Sequence, residues 1–373
     1  MWRRLKEVAV KLRGGRHGGV DSLNPSSTAP GESQPVLENE TTAIMATEQD
    51  KPTWAAVPWT PVNDKEHGDK LIGWHKAHVP YVPGSDVFLQ SLHVWLPASV
   101  VGKDEVPDAS VPLPSSRKGR WVVYIHGGAW RDPKIDASSF APTAIRILQA
   151  ASSETKSGSG PIAGVASLNY RLSPHPEHPT DKPDPSREAK HPDHISDVLA
   201  GLSFLQRLGG ASGKWVLSGH SCGATLAFQA VMDPSRWGLS TEIAKPAVIV
   251  GLNGLYDLYG FITAPPAKYA GLRDAYEEFV SGAFGEDRDV WKKACPATAE
   301  KWADEWKGGK RVVLVQSRED TLVPYDQLEK MGAYLSKSSS LDIKEMQAGG
   351  DHDDIWQKGD RLAEILYDVA LGL

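Results

Sequence analysis

The sequence predicts an α/β protein whose mostly parallel central sheet has helices on both faces. The first observation is that short apolar runs, typical of buried strands, alternate with helix-like segments from residue 121 onward. The second is a pentapeptide at residues 219–223, GHSCG, which lies between one of these runs and a helical pattern. Ligands of such sheets bind beyond the carboxyl ends of the strands, so the chemistry is expected at that edge.

The elements follow from apolar runs and from the Gly, Pro or polar residues that end them. Strands are predicted at 91–96, 121–125, 164–170, 215–218, 247–252, 311–315 and 341–346. Helices, each with an apolar face, are predicted at 138–151, 194–208, 224–232, 326–336 and 354–371. Residues 54–83, rich in Trp, Pro and His, are expected to form a loop-rich flap or cap. Residues 258–306 mix helix and loop and are expected to form an insertion over the site.

The composition narrows the class of protein. Of the 373 residues 40% are hydrophobic, and the formal net charge is -6, which suits a large globular domain and disfavours nucleic acid as a partner. No apolar stretch approaches the length of a membrane span. One of the two cysteines, Cys222, lies inside the pentapeptide, so a structural disulfide is not expected and a reducing compartment fits.

Residues 1–52 are expected to be a disordered extension, and residues 53–373 a single domain. Residues 1–16 are basic with apolar positions at helical spacing, and a polar, Pro- and Gly-rich spacer follows to residue 40. A cytoplasmic location is predicted, and the alternative interpretation of the basic segment is a mitochondrial presequence. Met45 is an alternative start of the chain.

The pentapeptide has the form G-x-S-x-G. A strand before it and a helix after it place Ser221 where the chain turns sharply from one into the other. The two glycines leave room for that turn, which pushes the Ser221 hydroxyl out of the strand end. A purely structural turn is the alternative, and the strand–turn–helix context favours a nucleophile.

A serine hydroxyl is a poor nucleophile by itself and needs a base that an acid orients. His352, the last histidine, lies in a glycine-containing loop after the last strand and is predicted to be the base. Asp320 follows strand 311–315 on a tight turn and is predicted to be the acid. Its neighbour Glu319 is an alternative acid, and Asp257, interpreted as a structural turn residue, is a weaker one.

Acyl transfer also requires hydrogen-bond donors for the developing oxyanion. The segment after strand 121–125 consists of His126, Gly127, Gly128, Ala129 and Trp130. Gly127 and Gly128, which lack side chains, can present their backbone N–H groups to a ligand. The backbone N–H of Cys222, directly after the serine, is the third predicted donor.

Trp130, Tyr170 and Tyr256 are predicted to line the substrate pocket. The histidine-rich segments 175–178 and 191–194 contain prolines that disfavour a helical ligand face, so no metal is expected. The Gly-Gly pairs lack a phosphate-binding pattern, so no nucleotide or other cofactor is expected.

Five segments together resemble the fungal kynurenine formamidases, which are α/β-hydrolases related to the hormone-sensitive-lipase-like esterases. They are 124–133 (YIHGGAWRDP), 168–174 (LNYRLSP), 191–195 (HPDHI), 219–224 (GHSCGA) and 351–356 (DHDDIW). The resemblance runs from about residue 121 to the C-terminus. It implies an α/β-hydrolase fold, a Ser221–His352–Asp320 triad and an oxyanion loop at Gly127 and Gly128. It also implies a small aromatic formamide as substrate, with hydrolysis of N-formyl-L-kynurenine to L-kynurenine and formate in tryptophan breakdown.

Two other hypotheses stay open at this point. One is a general carboxylesterase of the same fold that acts on short acyl esters. The other is a non-catalytic binding protein, which would require a broken triad. The oligomeric state is not readable from the sequence, and a homodimer is one option.

Overall fold

One nine-stranded sheet organises the computed structural model, which describes residues 50–101, 106–110, 113, 119–153, 162–337 and 340–373. The strands are β1 (Thr60–Asp64), β2 (Lys70–Pro80), β3 (Ser91–Pro97), β4 (Arg120–Ile125), β5 (Ile162–Leu168), β6 (Trp215–His220), β7 (Val248–Leu252), β8 (Arg311–Gln316) and β9 (Asp342–Gln347). The helices are α1 (Asp50–Ala56), α2 (Ala98–Val101), α3 (Ala141–Ser153), α4 (Asp193–Arg207), α5 (Cys222–Gln229), α6 (Leu258–Thr263), α7 (Arg273–Phe284), α8 (Arg288–Ala294), α9 (Asp326–Leu335), α10 (Asp354–Lys358) and α11 (Asp360–Leu371).

The strand order is β1-β2-β3-β5-β4-β6-β7-β8-β9. Neighbours from β5 through β9 are parallel, whereas β1, β2 and β3 pair antiparallel at one side of the sheet. The predicted mostly parallel sheet is confirmed. Because the central strands run in one direction, the loops after β4, β6, β8 and β9 leave the same edge of the sheet.

Helices cover both faces of the sheet, as predicted. Side chains of β4 alternate between the two resulting cores, with Trp121 and Val123 on one side and Val122 and Tyr124 on the other. Helices α3 and α11 pack on the second side. Helices α4, α5 and α9 and the 258–306 insertion pack on the first.

The prediction of a loop-rich segment at 54–83 is wrong, because β1 and β2 occupy more than half of it. Two of the three Trp residues there pack around a buried cation. Lys76 of β2 donates hydrogen bonds to Trp54 O (2.7 Å) and Ala109 O (3.0 Å), and its ammonium lies over the rings of Trp54 and Trp59. A lysine buried in a strand breaks the apolar pattern from which strands are predicted.

Residues 50–52, at the end of the predicted extension, are part of a helix. Helix α1 starts at Asp50, whose carboxylate accepts two hydrogen bonds from Arg207 of α4 at 2.8 and 2.9 Å. The rest of the predicted extension, with its basic segment and Met45, lies outside the described residues.

The single helix predicted at 354–371 is two helices, α10 and α11, which are separated by Gly359. Gly359 has a φ of +77°. A β-carbon there would lie 2.8 Å from the backbone nitrogen of Thr143 and 2.9 Å from Pro142. The break is therefore required by the close approach of α3. In the described part of the chain, no helix combines the length and apolar character needed to cross a membrane.

Candidate active site

The predicted nucleophile lies at the junction of β6 and α5. Ser221 adopts φ 54° and ψ -121°, a conformation that costs free energy for a residue with a side chain. A β-carbon on Gly219 would collide with the carbonyl of Gly223, and one on Gly223 with the carbonyl of Ile125. The junction is therefore the sharp elbow that the pentapeptide predicts.

The structure brings Asp320 and His352 together. His352 Nδ1 donates to Asp320 Oδ2 at 2.8 Å, and both side chains are fully buried. The other carboxylate oxygen accepts the backbone N–H groups of Leu322 and Val323, each at 2.8 Å. These two bonds fix the carboxylate and leave Oδ2 facing the imidazole.

The alternative acids lie elsewhere. Glu319 is exposed, and its backbone N–H donates to Ser317 Oγ at 3.1 Å. Asp257 caps helix α6 by accepting the N–H of Gly260 at 2.8 Å, and it pairs with Lys330 at 3.2 Å. Asp257 is thus the structural turn residue that the sequence suggests.

The loop that carries His352 is held next to the elbow. The carbonyl oxygen of His352 accepts hydrogen bonds from His220 Nε2 and Asn253 Nδ2, both at 2.9 Å. The rings of His220 and His352 lie 4.6 Å apart. Because His220 directly precedes Ser221, the predicted base is anchored to the residue before the predicted nucleophile.

The surroundings of His352 favour its charged form. Burial alone would lower the pKa of His352, but the charge and hydrogen bond of Asp320 raise it, and Asp353 and Asp351 add to that effect. The net result is a pKa above the ordinary value of 6.5. Asp320 is therefore placed to stabilise an imidazolium at this position.

The glycine loop after β4 is oriented by hydrogen bonds to its carbonyl groups. The Tyr170 hydroxyl donates to His126 O (3.1 Å) and Gly127 O (3.2 Å), and His126 Nδ1 also donates to Gly127 O (2.8 Å). Because each peptide unit is planar, the N–H groups of Gly127 and Gly128 point away from Tyr170. A β-carbon on Gly127 would lie only 3.2 Å from Ser221 Cβ, so the loop packs directly against the elbow.

The next residues of this loop are strained. Ala129 and Trp130 have φ values of 52° and 59°. The Trp130 N–H donates to the sulfur of Cys222 at 3.3 Å, and Gly128 O accepts the N–H of Arg131 at 3.0 Å. Burial raises the pKa of Cys222 to about 11, so the sulfur stays a neutral thiol. The loop is held in its conformation by these bonds.

Two of the three predicted pocket residues make contacts that support the surrounding structure. Tyr170 lies behind the glycine loop, where its hydroxyl supports the loop. Tyr256 packs against Phe228 in the core, with a ring separation of 5.7 Å, and its hydroxyl fills the space beside Gly251. These contacts give the two rings roles in loop support and packing. A pocket role for Tyr170, Tyr256 and Trp130, all three of which are buried, stays a prediction.

Two further polar residues position the site and were not anticipated from the sequence. Asp351 Oδ1 accepts the backbone N–H and the hydroxyl of Thr321 (3.0 and 2.7 Å) and the N–H of His352 (2.8 Å), which ties the acid loop to the base loop. Asn253 joins His352 O to the N–H of Ser317. The only sequence signal was their place, directly after β7 for Asn253 and beside His352 for Asp351.

The insertion at 258–306 covers these loops. Tyr269 and Tyr276 donate hydrogen bonds to Asp320 O (2.7 Å) and Leu322 O (2.9 Å). Phe284 of α7 packs edge-on against Trp130 at 4.9 Å. Ser221 is 1% exposed, and its hydroxyl has no hydrogen-bond partner among the described residues.

The histidine-rich segments do not gather as metal ligands. Of the described residues, two groups have potential ligand atoms close together: His220 with His352 and Asp353, and Asp64 with Glu66 and His67. Neither group contains residues of 175–178 or 191–194. The first group belongs to the candidate active site itself.

No family model matches the chain. The chain is 35% identical over 304 residues to a kynurenine formamidase-like hydrolase of Fusarium equiseti, covering 78% of this chain and 93% of that protein. It is 36% identical over 291 residues to a kynurenine formamidase of Debaryomyces hansenii, covering 66% and 90%. It is 35% identical over 254 residues to a kynurenine formamidase of Aspergillus versicolor, covering 64% and 84%.

Solved structures with a similar fold include esterase B from Lactobacillus rhamnosis, with a TM-score of 0.57, 15% identity and coverage of 86% of this chain and 91% of that one. A truncated carbohydrate esterase from gut microbiota matches with a TM-score of 0.56 and 16% identity, covering 85% and 100%. These low identities establish the fold alone. Together with the sequence relatives, they show that the chain is a hydrolase that belongs to the kynurenine formamidase family and has the α/β-hydrolase fold.

Proposed function

We propose that the chain hydrolyses N-formyl-L-kynurenine to L-kynurenine and formate, with Ser221 as nucleophile, His352 as base and Asp320 as orienting acid. The observation that carries the proposal is the buried His352–Asp320 hydrogen bond, anchored beside the Ser221 elbow in a chain of this family. The partner is therefore a small aromatic formamide.

The reaction follows from these roles. His352 removes the Ser221 proton as the oxygen attacks the formyl carbon, and the N–H groups of Gly127, Gly128 and Cys222 stabilise the oxyanion. The imidazolium then protonates the aryl nitrogen, the C–N bond breaks and L-kynurenine leaves. Water, deprotonated by the same imidazole, attacks the formyl-enzyme and releases formate with recovery of the Ser221 hydroxyl.

The acyl group of a formamide is small, which fits the burial of Ser221, a residue that is 1% exposed. A formyl carbon carries only hydrogen, so it needs little space on the acyl side. The choice of a formamide over the longer acyl chains of a general carboxylesterase rests on the family and on the assay that follows.

The test is hydrolysis of N-formyl-L-kynurenine by the purified protein, followed by the absorbance of the product and by formate release. Ser221→Ala is expected to lower kcat at least about 10³-fold, because the nucleophile is lost. Ser218→Ala is the matched control, since Ser218 is also buried in this segment and its hydroxyl only donates to Val123 O at 3.2 Å. Thermal unfolding checks that both variants fold.

Two outcomes would contradict the proposal. Hydrolysis that survives in Ser221→Ala would remove the nucleophile assignment. Weak turnover of the formamide beside efficient cleavage of short p-nitrophenyl esters would identify a general carboxylesterase instead.

A further inference from the structure

A buried cation lies next to the glycine loop. Arg131 directly follows Trp130, its backbone N–H donates to Gly128 O at 3.0 Å, and the residue is only 2% exposed. Its guanidinium reaches across to helix α7, where it lies 3.5 Å from Glu278 Oε1 and 5.8 Å from the centre of the Phe279 ring. The proposed mechanism assigns no role to this charge.

One partner of this cation, Glu278, lies at the surface. The Glu278 side chain is 52% exposed and lines a solvent-open cavity of about 620 Å³, whose other charged lining residues are Lys190, Asp274, Glu277 and Glu286. The 3.5 Å contact with Arg131 is longer than the roughly 2.7–2.9 Å typical of charge-assisted hydrogen bonds. The two charges are therefore close together, with the Arg131 side chain buried and the Glu278 side chain half-exposed.

The substrate of the proposed reaction carries a complementary pair of charges. N-formyl-L-kynurenine has the reacting formamide at one end and an amino-acid group, with an α-carboxylate and an α-ammonium, at the other. A guanidinium binds a carboxylate through two parallel hydrogen bonds, and a carboxylate accepts hydrogen bonds from an ammonium. A substrate with its formyl group at the glycine loop would extend toward a charge pair that begins three residues after Gly128.

We propose that Arg131 and Glu278 recognise the amino-acid end of the substrate, with Arg131 binding the α-carboxylate and Glu278 the α-ammonium. This inference rests on the proposed function and explains how the enzyme would select N-formyl-L-kynurenine over other aryl formamides. A neutral aryl formamide would lack both contacts. Since Arg131 comes from the glycine loop and Glu278 from the covering insertion, the bound substrate would also bridge these two parts.

The test compares three formamides with the same aryl ketone leaving group. N-formyl-L-kynurenine carries both charges, 4-(2-formamidophenyl)-4-oxobutanoate carries only the carboxylate, and 2-formamidoacetophenone carries neither. Arg131→Gln is expected to lower kcat/KM for the first two at least about ten-fold more than for the third, mainly through KM. Glu278→Gln is expected to lower kcat/KM only for the first, by about three- to ten-fold relative to the other two.

A purely structural tie between the loop and α7 gives a different pattern. It would lower activity on all three substrates equally, and the charge-swapped double variant, Arg131→Glu with Glu278→Arg, would restore activity. The recognition role predicts that the swap leaves N-formyl-L-kynurenine hydrolysis low. Arg236→Gln removes a surface ion pair with Glu305 beyond the other end of α5 and is expected to leave the substrate ratios unchanged.

The outcomes separate the two proposals. Equal losses on all substrates, or recovery in the swapped variant, would overturn the recognition role. Because Glu278 is half-exposed, its variant tests the role even if the loss of buried Arg131 impairs folding. A wild-type protein that hydrolyses the neutral formamide as well as N-formyl-L-kynurenine refutes only the recognition role, whereas one that hydrolyses none of the three refutes the proposed function.

Discussion

Backbone strain is concentrated at the candidate active site. In the described part of the chain, eight non-glycine residues have positive φ, and four of them, Ala129, Trp130, Ser221 and Asn253, belong to the site. Each such conformation costs on the order of 1–3 kcal/mol and persists only where surrounding contacts impose it. Here the contacts are hydrogen bonds to Gly128 O, Cys222 Sγ and His352 O. These contacts thus hold the predicted oxyanion donors and Ser221 in their strained conformations before substrate arrives.

The raised pKa of His352 predicts the pH dependence of catalysis. In the proposed mechanism His352 must be neutral to take the Ser221 proton, so kcat/KM should fall as pH drops through its pKa, and the acidic limb should lie above the ordinary 6.5. In Asp320→Asn, burial still lowers the pKa of His352, but the charge of Asp320 no longer raises it. The limb should therefore move to lower pH while kcat falls roughly 10²- to 10⁴-fold. A pH profile of kcat/KM for both proteins measures this.

Asp257→Asn is the control for that experiment, because Asp257 caps α6 and does not contact His352. Its acidic limb should match that of the wild type. An unchanged limb in Asp320→Asn would show that the group titrating in catalysis is not His352.

Tyr170→Phe should reduce kcat about ten-fold with little change in KM. The variant loses the hydroxyl that holds the carbonyls of His126 and Gly127, so the donors of the glycine loop become less well oriented. Steady-state kinetics on N-formyl-L-kynurenine gives both constants. Tyr81→Phe is the matched control, since its buried hydroxyl donates to the carbonyls of Asn169 and Leu89, outside the glycine loop. Equal effects of the two variants would exclude a specific role for Tyr170.

The sequence reveals the candidate catalytic side chains more readily than the residues that position them. Ser221, Asp320 and His352 each follow a strand and carry a reactive group, so pattern and chemistry coincide. Tyr170 and Asn253 act through backbone carbonyls far away along the chain, and such contacts leave no local pattern. Their roles become visible only when the strands are assembled.

At the scale of elements, burial on both faces explains which strands are predictable. Strands β4, β6, β7 and β8 are buried on both sides and form near-continuous apolar runs. In β2, a buried Lys76 and three partly buried positions interrupt the run, so the segment resembles a loop. The pattern predicts the centre of the sheet well and its antiparallel side poorly.

The break between α10 and α11 provides a stability prediction. Gly359→Ala should lower the free energy of unfolding by about 1–3 kcal/mol, because the new β-carbon would meet Pro142 and Thr143 and the φ of +77° disfavours a side chain. Urea unfolding measures the change.

Gly282→Ala is the matched control for this substitution. Gly282 lies within α7 and has open space around its α-carbon, so alanine there should stabilise by about 0.5–1 kcal/mol. A neutral Gly359→Ala would show that α3 and α11 can move apart freely.

At the scale of the whole molecule, several histidines outside the predicted triad are buried in their neutral form. Burial lowers the pKa of His126 to about 4, and burial, with the charges of His191 and Arg171, lowers that of His194 to about 3. On the antiparallel side of the sheet, His93 lies between two other histidines, 3.2 Å from His75 and 3.4 Å from His78. Burial and these neighbours lower the pKa of His93 to about 3. Acid should therefore destabilise the protein well before its carboxylates are protonated.

His93→Asn tests this dependence. The pKa of His93 is depressed in the folded state, so below the unfolded value near 6.5 the unfolded chain binds a proton that the folded chain does not. The unfolding free energy should fall as pH decreases, by up to about 1.4 kcal/mol per pH unit for this one residue. Urea unfolding between pH 7 and pH 5 measures how the unfolding free energy changes with pH. This change should be smaller in the variant than in the wild type, and an equal change would contradict the role of His93.

The Ser221 hydroxyl is buried, and the insertion packs on the loops around it. A covalent inhibitor such as a fluorophosphonate is therefore expected to react only while the segments packed over the site are displaced. The labelling rate would then rise with inhibitor concentration to a plateau, and the plateau would equal the rate at which the cover opens. Inhibitor potency against this enzyme would depend on the frequency of that opening as much as on the reactivity of the phosphorus centre.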